Sequence, residues 1–140
     1  MIDIENNVFD FVSKALKAAH SDVMVVGEYV ETPAKFPAVT LVEADNRIVP
    51  SWRSCEKMEN AVTVMYELNV YSNKTKGKRA EAKAIADTAD AALQALGFMR
   101  IYRQQVPNLK DATIYRIVCR YNGTVIPNDD GINYIYSAIQ

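Results

Sequence analysis

A chain of 140 residues is the size of one domain, and 49% hydrophobic with 24% charged residues is the make-up of a folded globular protein, not a disordered or membrane-embedded one. Sixteen Lys and Arg against seventeen Asp and Glu leave a formal net charge of -1, so no global field draws the chain to nucleic acid. Residues 1–7 lack the basic start and apolar run of a secretory signal, and no stretch reaches the ~20 apolar residues of a membrane span, so synthesis and residence in the cytoplasm are expected.

Ile4, Val8, Phe11, Val12, Ala15, Leu16 and Ala19 recur at three- and four-residue spacing, which predicts an amphipathic helix over 3–19. A β-branched run over 23–26 closed by Gly27, and a second over 38–43 after the breakers Pro33 and Pro37, read as the first two strands. Residues 44–60 carry Pro50, Trp52, Arg53, Cys55, Glu56, Lys57 and Met58 and read as an irregular connection. The cleanest alternation follows over 61–71, with Val62, Val64, Tyr66, Leu68 and Val70 on one face and Thr63, Glu67 and Asn69 on a solvated one.

Gly77 introduces a helix over 78–96 whose buried stripe is Ile85, Ala89, Ala92, Leu93 and Leu96, with Gly97 as its stop and a Lys83–Asp87 pair on its wet side. A strand over 98–103 and a Pro-containing loop over 106–110 come next. Thr113 to Tyr121, with Gly123, Val125, Ile126 and a Pro127–Gly131 turn behind them, read as a strand, a tight connection and a returning strand. In that strand Thr113, Tyr115, Ile117, Cys119 and Tyr121 share one face, and Ile114, Arg116, Val118 and Arg120 share the other. The order α-β-β-β-α-β-β-β, within a single domain over 1–140, predicts an α+β fold with a mainly antiparallel sheet and two helices on one face. Val8, Val12, Leu16, Val64, Tyr66, Leu68, Ile85, Leu93, Leu96 and Ile117 are the expected core.

Residues arranged for chemistry are not evident. Cys55 and Cys119 stand far apart without a Cys or His at metal-ligand spacing and read as structural thiols. The single histidine, His20, falls where a helix C-terminus would hold a polar or positive group. Lys74, Lys76, Lys78 and Arg79 surround Gly77 without the spacing of a phosphate loop, so they read as a solvated or DNA-facing basic loop. Asp87, Asp90, Asp129 and Asp130 lack the companions of a metal site and read as turn-forming or solvating groups. Ser51, Ser54 and Ser72 have neither a nucleophile-elbow setting nor a base. The expectation is a non-enzymatic chain without a cofactor or metal. Eight tyrosines, clustered late at Tyr115, Tyr121, Tyr134 and Tyr136, suit half-buried sheets and wet interfaces.

The strings from Tyr66 to Asn73, Gly77-Lys78, Leu96 to Arg100, Pro107-Asn108, Asp111 to Arg116 and Arg120-Tyr121 carry a family resemblance. Over 60–126, and less closely in the first helix, the chain resembles small tail-completion proteins of long-tailed phages and prophages, in particular the tail terminators. The resemblance implies an α+β subunit that closes into a ring, often six-fold, on the head-proximal end of the tail tube. It implies the tail tube protein and a head connector as partners, a passing contact with DNA, no membrane, and a place in the virion tail after assembly in the host cytoplasm. Trp52, Arg53, Arg116, Arg120, Tyr134 and Tyr136 are the interface candidates, chosen for their expected exposure. A nucleic-acid-binding module using the 74–79 loop and the arginine face, or another neck or minor tail protein, is the rival reading.

Overall fold

A computed structural model describes residues 3–30, 32–49, 61–107, 111–127 and 134–137. Helix α1 (Glu5–Ala19) buries Val8, Val12 and Leu16, one turn apart on one side, with Ile4 buried just ahead of them. Its stripe is skewed toward the partly buried Phe9 and the buried Ser13, which leaves Phe11 45% exposed on the opposite margin. The expected stripe was therefore right in its axis and wrong in its edge, because periodicity locates a stripe while the neighbours decide how far round it is covered.

Helix α2 (Lys78–Ala95) starts from Gly77, whose φ of 83° is left-handed backbone that a side chain would strain. It ends in a Schellman motif: Gly97, at φ 98°, donates its N–H to the Gln94 carbonyl at 2.9 Å, and the Phe98 N–H reaches the Leu93 carbonyl at 3.1 Å. Ala82, Ala86, Ala89 and Ala92 are buried beside Ile85 and Leu93, so the helix lies close on the sheet, as its alanine content predicts.

Among the described residues the strands are β1 (Met24–Val26), β2 (Ala38–Ile48), β3 (Val62–Ser72), β4 (Met99–Gln105), β5 (Tyr115–Pro127) and β6 (Tyr134–Ser137). They follow the spatial order β1-β2-β3-β5-β4, with β6 on β5 beside β4's end of it. All neighbours are antiparallel except β1 with β2, which makes the sheet mixed and mostly antiparallel. The fold is α+β, as expected.

Two stretches depart from the expected boundaries. Strand β2 does not stop at Glu43; after a bulge between Glu43 and Asp45 it continues to Ile48, paired to Val62 at its end. Residues 45–48 show no apolar alternation because most of that arm is exposed on both faces. Strand β5 runs unbroken through Gly123 to Pro127, and the return is β6. Gly123 stays in the ladder opposite Val64, where the ring of Phe98 needs the room a side chain would take.

Val62, Val64, Tyr66, Leu68 and Val70 of β3 join Ile117, Cys119, Tyr121 and Val125 of β5 and the apolar stripes of both helices in one core. Each fully buried Val or Leu there contributes on the order of 1.5–3 kcal/mol by leaving water. Of the expected core only Leu96 is partly buried, because it caps the helix instead of facing the sheet. A second, small cluster of Ala38, Tyr71 and Ile114, with Met24 and Phe36 against it, covers part of the other face. Asn69 and Tyr71 are consequently fully buried on the side of β3 expected to be solvated.

Candidate interface on the open face of the sheet

The two-residue period of β5 sends Ile117, Cys119 and Tyr121 toward the helices and Arg116, Val118 and Arg120 the other way. Register then decides what the arginines meet. Tyr71 of β3 is opposite Arg116, Asn69 opposite Val118 and Glu67 opposite Arg120, while Tyr102 of β4 flanks Arg120 on its other side.

These side chains form one ladder across the face away from the helices. Arg116 donates from Nε at 3.0 Å and from Nη2 at 2.8 Å to Asn69 Oδ1. Asn69 Nδ2 in turn donates to Glu67 Oε1 at 3.2 Å, and Arg120 Nε lies 3.4 Å from Glu67 Oε2. Aromatic rings close both ends. The Arg116 guanidinium sits 5.7 Å from the Tyr71 ring centre and 5.9 Å from that of Tyr29, and the Arg120 guanidinium 5.8 Å from that of Tyr102. Tyr71 is itself held by its hydroxyl, which donates to the Val30 carbonyl at 2.9 Å.

The middle of the ladder is buried and its ends reach solvent: Asn69 is inaccessible, while the Arg120 side chain is 50% exposed and Tyr29 58%. A guanidinium fixed in this way keeps N–H donors available to a partner while losing little freedom on binding. The chemistry on offer is hydrogen bonding, charge and stacking.

Of the interface candidates, Arg116 and Arg120 thus belong to one constellation. Tyr134 and Tyr136 lie in β6, in register with Pro127 and Val125 beyond β4's pairing with β5. Trp52 and Arg53, with Cys55 and the rest of 50–60, fall outside the described residues. The partners Glu67, Asn69, Tyr71, Tyr29 and Tyr102 were not singled out. Glu67 and Asn69 at alternate positions of one strand were the available signal, but cross-strand register was needed to pair them with Arg116 and Arg120.

On the helix side Asp90 departs from the solvated role expected of it, while Asp87 stays exposed. Asp90, its side chain 15% exposed, accepts from the Tyr121 hydroxyl at 2.6 Å, from Arg100 at 3.2 Å and from Gln94 at 2.6 Å. Asp87 accepts from Arg103 at 2.7 Å, the partner that sequence spacing had assigned to Lys83. Two arginines of β4 are therefore tied to α2, Arg100 through the shielded Asp90 and Arg103 through the exposed Asp87. Burial, and then the bond to Asp90, push the Tyr121 hydroxyl far above its ordinary range, and burial raises the Cys119 thiol; both groups stay protonated. The bond to Asp87 holds Arg103 still more firmly charged.

The basic loop around Gly77 is partly occupied by its own protein. Lys78 Nζ donates to the Thr113 carbonyl at 3.2 Å, and Lys74 Nζ lies 4.0 Å from Glu81, which also accepts from Ser72 at 2.8 Å. His20, at the end of α1, meets Thr88 of α2 at 3.1 Å through Nε2. The Thr88 hydroxyl also donates to the Ala84 carbonyl at 3.1 Å, so the contact is anchored on the α2 backbone. Among the described residues no group of three or more His, Cys, Asp and Glu is placed to hold a metal, and no helix is long and apolar enough to cross a membrane.

The model of the family described as Tail completion protein gp17 matches residues 12–125, well over half of the chain, and the chain belongs to that family. The match runs from the middle of α1 through both faces of the sheet to Val125 of β5. No curated protein matches the chain. Membership makes it a structural component of phage tail assembly, in the tail of the virion.

Proposed function

We propose that this member of the tail-completion family caps the end of the tail tube, stops its growth and offers the surface to which the head connector docks. It works as a ring of identical subunits, six-fold as the family resemblance implies, with DNA passing through. It performs no chemistry and takes no cofactor. The observation that carries the reading is the preorganised ladder from Arg116 to Arg120 on the face opposite the helices, flanked by Tyr29 and Tyr102, since arginine and tyrosine are the residue types enriched where proteins dock. The internal ties of Lys74 and Lys78 weigh against a phosphate or duplex site at the Gly77 loop.

The test is assembly. Purified protein added to polymerising tail tube protein should arrest tubes and appear in negative stain as a ring at one end. Arg120→Glu should fold normally and fail to arrest them. Tubes that grow unchanged in the presence of the wild-type chain overturn the reading. Tight duplex binding that falls steeply with salt, without binding to tubes, would favour a nucleic-acid module in its place.

A further inference from the structure

The two ends of the sheet are both open, and they differ in what they offer a partner. Strand β1 covers β2 only from Ala38 to Thr40; beyond that, among the described residues, no strand pairs with β2 on that side up to Ile48. At the opposite end β4 is the last strand of the path, and among the described residues nothing pairs with its outer edge. Open edges attract other chains unless something covers them.

Where β1 leaves β2 there is a groove of about 490 Å³ lined by Phe9, Val25, Leu41 and Tyr66, with Glu5 and Glu28 among its walls. Glu43 stands two residues beyond Leu41 in β2, close enough to Glu5, Asp3 and Asp45 to feel their charge. Asp45 is paired with Arg47, but among the described residues no ion pair engages Glu5, Glu28 or Glu43. The groove is apolar within and has these carboxylates at its rim, while Lys17 and Lys35 line the neighbouring hollow along β1.

The β4 end offers apolar side chains and arginine donors, each arginine already paired with a carboxylate of its own chain. Met99, Ile101 and Tyr102 are 42%, 45% and 38% exposed, three large apolar side chains on one seven-residue edge strand. The bulge between Arg100 and Tyr102 takes Ile101 out of the ladder with β5. Around it stand Arg100, Arg103 and, next to Tyr102, Arg120, with side chains 39%, 26% and 50% exposed. Each has N–H donors beyond those its internal partner occupies.

We propose that successive copies of this chain join end to end through these surfaces, Ile101 of one copy entering the groove between α1 and β2 of the next, with the β4 arginines against its acidic rim. Because the bulge interrupts the β4 edge, the contact is led by side chains and not by a continuous backbone ladder. Knob and groove lie at opposite ends of one sheet, so the contact is heterologous, and repeating it gives a closed ring when the rotation per copy divides a full turn. The proposal rests on the ring reading above and names the contact that builds it.

The experiment uses sedimentation velocity and native mass on the full chain, with thermal melting as the control for folding. Ile101→Glu and Glu28→Lys, both at exposed positions, should each raise the concentration of half-assembly about tenfold or more without lowering the melting temperature. Ile101→Leu, which keeps an apolar knob for the groove, should assemble like the parent. If the wild-type chain assembles and Ile101→Glu assembles equally well, the contact lies elsewhere and the ring reading stands. If the wild-type chain stays monomeric alone and on tail tubes, both fall together.

Discussion

The Tyr121 hydroxyl donates to Asp90 Oδ1 at 2.6 Å, and this bond joins the central strand β5 to helix α2 at the point where Arg100 of β4 also arrives. Tyr121 is fully buried, and the carboxylate it meets is largely shielded from water, so neither group has bulk solvent to fall back on.

Tyr121→Phe should therefore cost about 1.5–3 kcal/mol in urea unfolding, the range for a hydrogen bond to a charged acceptor, with little change in the slope of the transition. A loss well under 1 kcal/mol would mean that Arg100 and Gln94 satisfy Asp90 between them.

Gly123 lies under the ring of Phe98: a Cβ added there would come within 2.5 Å of ring carbon Cδ1 and 2.7 Å of Cε1. The ring is not free to retreat, because it packs edge-on against Tyr66 with centroids 5.4 Å apart. Gly123→Ala should destabilise by about 1–3 kcal/mol through overpacking, and adding Phe98→Leu should give part of it back. If the double variant is no better than the sum of its parts, the clash is not the cause.

Arg116 reaches Asn69 with two nitrogens and stacks near two rings, a geometry that the ammonium group of lysine does not reproduce. Arg116→Ala leaves the buried Asn69 carbonyl oxygen without those donors and should cost about 1–3 kcal/mol. Arg116→Lys should recover less than half of that. Full recovery by lysine would show that charge alone is what the site uses.

Burial raises the Glu43 carboxyl above its ordinary value of 4.5; the bond from Asn46 opposes this, and Glu5, Asp3 and Asp45 add to it. A carboxyl whose pKa is raised by folding leaves stability intact below the unfolded value. The stability is lost as pH climbs from 4.5 through the raised folded value, and the penalty is complete above it. Glu43→Gln should accordingly melt higher than the parent at pH 7, with the advantage shrinking to nothing by about pH 4. An advantage that persists in acid would assign the effect to packing instead of charge.

The sequence by itself determined the features whose signal is local. The i, i+4 stripe from Ile4 to Leu16, the alternation from Val62 to Val70 and the glycine stop at Gly97 all appear where they were expected, because helix and strand periods are written in consecutive residues. The α+β class followed from their order, and the arginine face of β5 from the same two-residue period. What only the tertiary structure decided is which distant residues meet. Placing β5 between β3 and β4 sets Arg116 and Arg120 beside Asn69, Glu67 and Tyr102, and it brings Arg100 to the shielded Asp90 and Arg103 to Asp87, which stays exposed. The extension of β2 to Ile48 escaped the sequence for a related reason. An edge arm with few buried side chains takes its strand conformation from the backbone bonds of its neighbour, and those bonds leave no mark on residue type.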